Sequence, residues 1–188
     1  MKQRFAIARE VRDRRGEGIA LSCLGNAYAS LGVTKRAIEF LEQHLRIARK
    51  TGDRRNEGFA LGSLGHIYLE LRETKRAIEL LEKQLLIARE IGDRRAEAAG
   101  LGGLGMAHLY QLNPGAAIMF LEEQLVIARD IGDRRSEGAA LGNLATAYGA
   151  TRKSRQAIKL NEQHLAISRE MGDRSSEGTG VVEYEPYT

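Results

Sequence analysis

Apolar residues recur along the chain at helical spacing, in two alternating blocks. In the first block Leu21, Leu24 and Tyr28 stand at i, i+3 and i+7, and the same places hold Leu61, Leu64 and Tyr68, then Leu101, Leu104 and His108, then Leu141, Leu144 and Tyr148. The second block places Ala37, Ile38, Leu41, Leu45 and Ala48 on one stripe, repeated at Ala77, Ile78, Leu81, Leu85 and Ala88 and at Ala117, Ile118, Leu121, Leu125 and Ala128. A period near 3.6 residues gives each segment one buried face and one wet face. The pattern therefore predicts pairs of amphipathic helices, a first and a second in each unit.

The polar positions between the blocks keep the same period. Gly-Asp-Arg occurs at 52–54, 92–94, 132–134 and 172–174, a spacing of 40 residues, with Arg12-Asp13-Arg14 as a degenerate earlier copy. Gly52, Gly92, Gly132 and Gly172 suit the left-handed residue that closes a helix, and Asp53, Asp93, Asp133 and Asp173 suit the N-cap of the next. Glu17, Glu57, Glu97, Glu137 and Glu177 fall in the first turn, favourable to the helix dipole. Thr34, Thr74 and Ser154 are expected to cap the second helices, with Asn113-Pro114 in the third unit. Four complete units result, roughly 13–52, 53–92, 93–132 and 133–172, with partial units at both ends. Self-similarity at this period means stacked supersecondary units.

The run Leu21-x-x-Leu24-Gly25-x-x-Tyr28 followed by Ala37-x-x-x-Leu41 resembles the tetratricopeptide signature. Gly25, Gly65 and Gly105 match its small residue, where paired helices approach closely; Ala145 departs but stays small. Leu21, Leu61, Leu101 and Leu141 replace the usual Trp, and the unit of 40 exceeds the common 34, which predicts a longer second helix. This variety is similar to the repeats of Pins-type polarity adaptors and to bacterial arrays attached to signalling domains. The resemblance implies an all-α fold, a right-handed α-solenoid of antiparallel helix pairs forming one array over residues 1–180, with an irregular tail at 181–188. It also implies a scaffold whose first helices line a concave groove for a protein or peptide partner.

Composition narrows the function further. Charged residues make up 29% and aromatic residues 5%, without Trp, and the net charge is +4. Each Asp-Arg-Arg-x-Glu block sums to zero, so the paired arginines read as a self-neutralising edge, and nucleic acid is not an expected partner. Cys23 is the single cysteine, which leaves no intrachain disulfide and no thiolate cage. No nucleophile elbow, phosphate loop or metal-ligand spacing occurs. Gly102-Gly103-Leu104-Gly105 lies inside a helix rather than after a strand, which favours close packing over phosphate binding. His44, His66, His108 and His164 are scattered. No enzyme, cofactor or metal is expected, nor a membrane span, and the chain reads as cytoplasmic.

By position, the resemblance places Ile19, Asn26, Phe59, His66, Leu69, Met106, Leu109, Tyr110, Asn143 and Thr146 in the groove. Relatives that clamp a C-terminal carboxylate use Lys and Arg there, and this lining has neither, so an amphipathic helix or extended apolar segment is the expected ligand. A rival reading is a homo-oligomer. Phe5 and Ile7 near one end and Val181, Val182 and Tyr184 near the other are candidate self-association residues. Such contacts run head to tail and build rings or superhelical fibres.

Overall fold

The computed structural model of the chain describes residues 14–172. Eight helices cross this span: α1 (Arg14–Ser30), α2 (Thr34–Thr51), α3 (Arg54–Glu70), α4 (Thr74–Glu90), α5 (Arg94–Tyr110), α6 (Pro114–Asp130), α7 (Arg134–Ala150) and α8 (Ser154–Glu170). No strand occurs among the described residues. Phe5, Ile7, Val181, Val182 and Tyr184 lie outside them, as does the expected tail.

Each helix packs on the next, and the odd helices also touch one another: α1 on α3, α3 on α5 and α5 on α7. The even helices are bridged by long side chains instead, such as the Arg89–Glu123 ion pair between α4 and α6. One row is tight and the other splayed, so the array is an all-α repeat solenoid that curves toward its odd helices. Leu21, Leu41, Leu61, Leu81, Leu101, Leu121 and Leu141 are fully buried, one from each of the first seven helices, and Ala37, Ala77 and Ala117 seal the pairs. Nearest-neighbour burial of this kind supplies most of the stability of a solenoid.

The glycines of the signature earn their place by contact. A Cβ at Gly25, Gly65 or Gly105 would stand 2.7, 2.8 or 2.5 Å from Cγ of Leu41, Leu81 or Leu121. Each is a site where two helices meet backbone to side chain.

The Gly-Asp-Arg-Arg turns are as expected. Gly52, Gly92 and Gly132 sit at φ of 67, 68 and 67°. The Asp53, Asp93 and Asp133 carboxylates accept from the backbone N–H groups of Asn56, Ala96 and Ser136. The opposite turns differ from expectation. Val33, Glu73 and Lys153 occupy the N-cap positions without a side-chain cap. Thr34, Thr74 and Ser154 are already inside their helices, one residue too late to cap. Only the Asn113 side chain caps there, accepting from Ala116 N–H. The two helices of a unit are nearly equal in length: α2 has 18 residues and α1 and α3 to α8 have 17.

The paired arginines neutralise themselves in a fixed way. Glu57, Glu97 and Glu137 each accept from two arginines, one ending the preceding helix (Arg49, Arg89, Arg129) and one starting their own (Arg54, Arg94, Arg134). The second arginine of each pair reaches one unit ahead, Arg15 to Asp53, Arg55 to Asp93 and Arg95 to Asp133, at 3.7, 3.6 and 3.4 Å.

Candidate functional site

A cleft of about 400 Å³ opens between α3 and α5. α3 contributes Phe59, Gly62, Ser63 and His66 at helical spacing, and α5 contributes Ala96 and Ala99. The floor comes from Gln84, Ile87 and Ala88 of α4 and from Ile91, which follows its last residue. Arg55, Asp93 and Arg95 stand at its loop end. The cleft exists because α5 presents small side chains where α3 carries Phe59.

Of the residues assigned to the groove from sequence, Phe59 and His66 meet in this cleft. Ile19 and Phe59 are 46% and 48% exposed, far above what core residues of their size tolerate. Thr146 is exposed, with its hydroxyl donating to the Gly142 carbonyl. Tyr110 is exposed too, but the Arg72 guanidinium lies 3.8 Å over its ring, at the far edge of the array. Asn26 and Asn143 are half-buried. Met106 and Leu109 are half-buried against the core clusters.

Leu69 is a correction. It is 2% exposed and belongs to the main core cluster. The last turn of α3 packs against its neighbours there instead of lining an open wall.

The floor residues escaped the sequence reading because they belong to second helices. One signal marks them. One second-helix position reads His44, Gln84, Gln124 and His164 in the four units, while the first-helix position over it reads Ser22, Gly62, Gly102 and Gly142. A Cβ at Gly62 or Gly102 would come within 2.9 or 2.7 Å of the Gln84 or Gln124 amide. A row of buried polar side chains is thus accommodated by a row of small ones. His44 shows the cost of such a row. Burial lowers its pKa, opposed by the nearby Asn56 and Asp53, yet neither ring nitrogen has a partner in hydrogen-bonding geometry. The His66 ring, open to the cleft, is hemmed in by α5 and also has a lowered pKa, from desolvation with Glu70 opposing.

Among the described residues no group of three or more His, Cys, Asp or Glu side chains is placed to hold a metal ion. No helix there is long and apolar enough to cross a membrane.

Stacked antiparallel pairs with a tight inner row define a helical-repeat solenoid of the protein-interaction class. The chain belongs to the tetratricopeptide repeat family, whose model matches residues 16–90, 56–130 and 95–170. Three solved structures share the fold. BtubC (BKLC) from P. vanneervenii is 19% identical with a TM-score of 0.76, covering 93% of this chain and 68% of that one. Aspartyl phosphate phosphatase F from Bacillus subtilis is 15% identical with a TM-score of 0.84, covering 92% of this chain and 45% of that one. Nearly identical TPR-like repeats from Podosopora anserina are 25% identical with a TM-score of 0.68, covering 90% and 84%. No curated protein matches the sequence.

Proposed function

We propose that this chain is a non-catalytic scaffold that holds a helical or extended apolar peptide segment along its inner face. The observation that carries the reading is the exposure of Ile19 and Phe59 on successive odd helices, beside a cleft walled by Phe59, Ile87 and Ile91. Large apolar side chains aligned on a concave wall fit a partner's apolar anchors. Ile19→Glu with Phe59→Glu tests it. Circular dichroism is expected to stay helical, because both side chains are half in solvent, while capture of amphipathic peptides is lost. Retained capture overturns the reading.

A further inference from the structure

We propose that the outer face of α6 is a homodimer contact, on which a second copy of the chain lays its own α6 antiparallel about a two-fold axis at Met119. The face belongs to the splayed row of even helices, away from the groove, and the inference stands apart from the groove reading.

On its outside α6 departs from the other even helices. Where they carry Lys35-Arg36, Lys75-Arg76 or Arg155-Gln156 in the first turn, α6 carries Gly115-Ala116. Where they carry Glu39, Glu79 or Lys159, it carries Met119. Arg46 of α2 becomes Leu86 in α4 and Val126 in α6, both exposed. Leu112, just ahead of the helix, Met119 and Val126 are 89, 73 and 58% exposed. Seven residues make two turns less about 20°, so these three side chains stand in one line. Leu121 and Leu125 are buried on the other side. A helix apolar on two faces is built to be covered on both.

Two details make the cover a second copy of this chain. The first is that the line is symmetric about Met119, with Leu112 seven residues before it and Val126 seven after. An antiparallel copy therefore sets Met119 on its own mate and Leu112 against the second copy's Val126. Gly115 and Ala116, one turn before the axis, then face Glu122 and Glu123, one turn after it. Short side chains meet long ones, and no carboxylate meets a carboxylate. The glutamates also leave the line open. Glu122 accepts from the Tyr148 hydroxyl at 2.7 Å on one side, and Glu123 pairs with Arg89 of α4 on the other. In the dimer their charges fall at the second copy's helix N-terminus, where the dipole favours them. The second detail is Gly115 itself. A Cβ there would meet Asn113 Oδ1 at 3.8 Å and nothing closer, so the chain's own packing does not call for glycine, although glycine is a poorer helix residue than alanine. Close approach of another helix does call for it.

The test weighs the full chain by sedimentation equilibrium from about 1 to about 200 μM, since a contact centred on one helix per chain belongs to the small, weak class. The mass is expected to climb toward twice the monomer and stop there, because a two-fold contact closes on itself. A mass that grows past two chains overturns the proposal. A mass that stays at one chain overturns it too and leaves the stripe to a different protein. Met119→Glu sets two carboxylates together on the axis and should keep the chain monomeric across the range, with Tm at the lowest concentration unchanged. Glu39 and Glu79 show that an even helix accepts the residue at that position. Val126→Arg, which copies Arg46, should weaken the pairing about 10-fold. A dimer that survives Met119→Glu has its contact elsewhere, and the assignment to α6 fails. Register is read by crosslinking in a Cys23→Ser background. With an added thiol oxidant, Met119→Cys should join to itself, and Lys159→Cys, at the same position on α8, should not. Absence of the Met119→Cys link, or equal yields from the two, overturns the axis.

Discussion

Where an even helix hands over to the next odd one, the chain turns on Gly52, Gly92 or Gly132 at φ of 67, 68 or 67°. An Asp caps the new helix there and a Glu grips two arginines. Where an odd helix hands over to an even one, the turn uses Gly32 once, and then Arg72, Leu112 and Arg152 at φ of 62, 56 and 58°. Left-handed backbone is costly for residues with a Cβ, and only Asn113 offers a side-chain cap among these turns. Leu31, Leu71 and Leu112 stand exposed along this second edge. One edge is locked by polar chemistry repeated in every unit. The other is held mostly by the core behind it. The difference shows that a solenoid needs only one chemically specified seam per unit, provided the leucine ladder fixes the rest.

The largest effect should come from the ladder that both edges share. Leu121 is fully buried and packs on Gly105, so Leu121→Ala is expected to cost about 2–5 kcal/mol, read by urea denaturation. A loss within about 0.5 kcal/mol, typical of surface sites, would show that the edges rather than the core carry the array.

Next comes the locked edge. The Glu137 carboxylate is nearly enclosed, and Arg129 and Arg134 donate to it at 2.9 and 2.6 Å. Burial pushes its pKa up, but the two arginines outweigh that and hold it below the ordinary glutamate value. A depressed carboxylate adds stability that is complete above the unfolded pKa and fades as pH falls through the folded one. Glu137→Gln should cost about 1–2 kcal/mol at pH 7, since half-exposed arginines are partly screened. The cost should shrink as pH falls below the ordinary glutamate range and through the depressed folded-state pKa, measured as Tm against pH. An unchanged gap at low pH would mean the carboxylate charge is irrelevant to the seam.

Much of this architecture was legible in the chain itself. The ladder, the paired helices, the Asp caps and the close glycines all follow from period and residue type, because each is a local rule repeated in every unit. The clamp was only half legible: Glu57, Glu97 and Glu137 read as dipole partners, while their second arginine comes from the preceding helix. The Thr caps failed because a side-chain cap depends on a one-residue register that period alone does not set. Leu69 failed for a related reason. Equivalent positions share a helix face but not a depth, and Ala29 and Leu109 are half-buried where Leu69 is enclosed. The cleft floor stayed hidden because Gln84 is brought beneath Gly62 and Gly100 only by tertiary packing.

The smallest effects test the left-handed backbone that both edges share, by opposite substitutions at the two turns. Gly132, at φ 67° with nothing within 4 Å of its would-be Cβ, belongs to the locked edge. Gly132→Ala should cost about 1 kcal/mol from backbone strain alone. Leu112 holds the left-handed position on the other edge and is 89% exposed, so its side chain contributes almost no burial. Leu112→Gly should relieve the strain and lose part of the gain to the greater freedom of an unfolded glycine. The net expectation is a stabilisation of about 0.5 kcal/mol. Paired denaturation curves of the two variants decide the matter. If Leu112→Gly destabilises the array, its exposed side chain is doing something the strain is retained for, and the loose edge becomes a candidate contact surface in its own right.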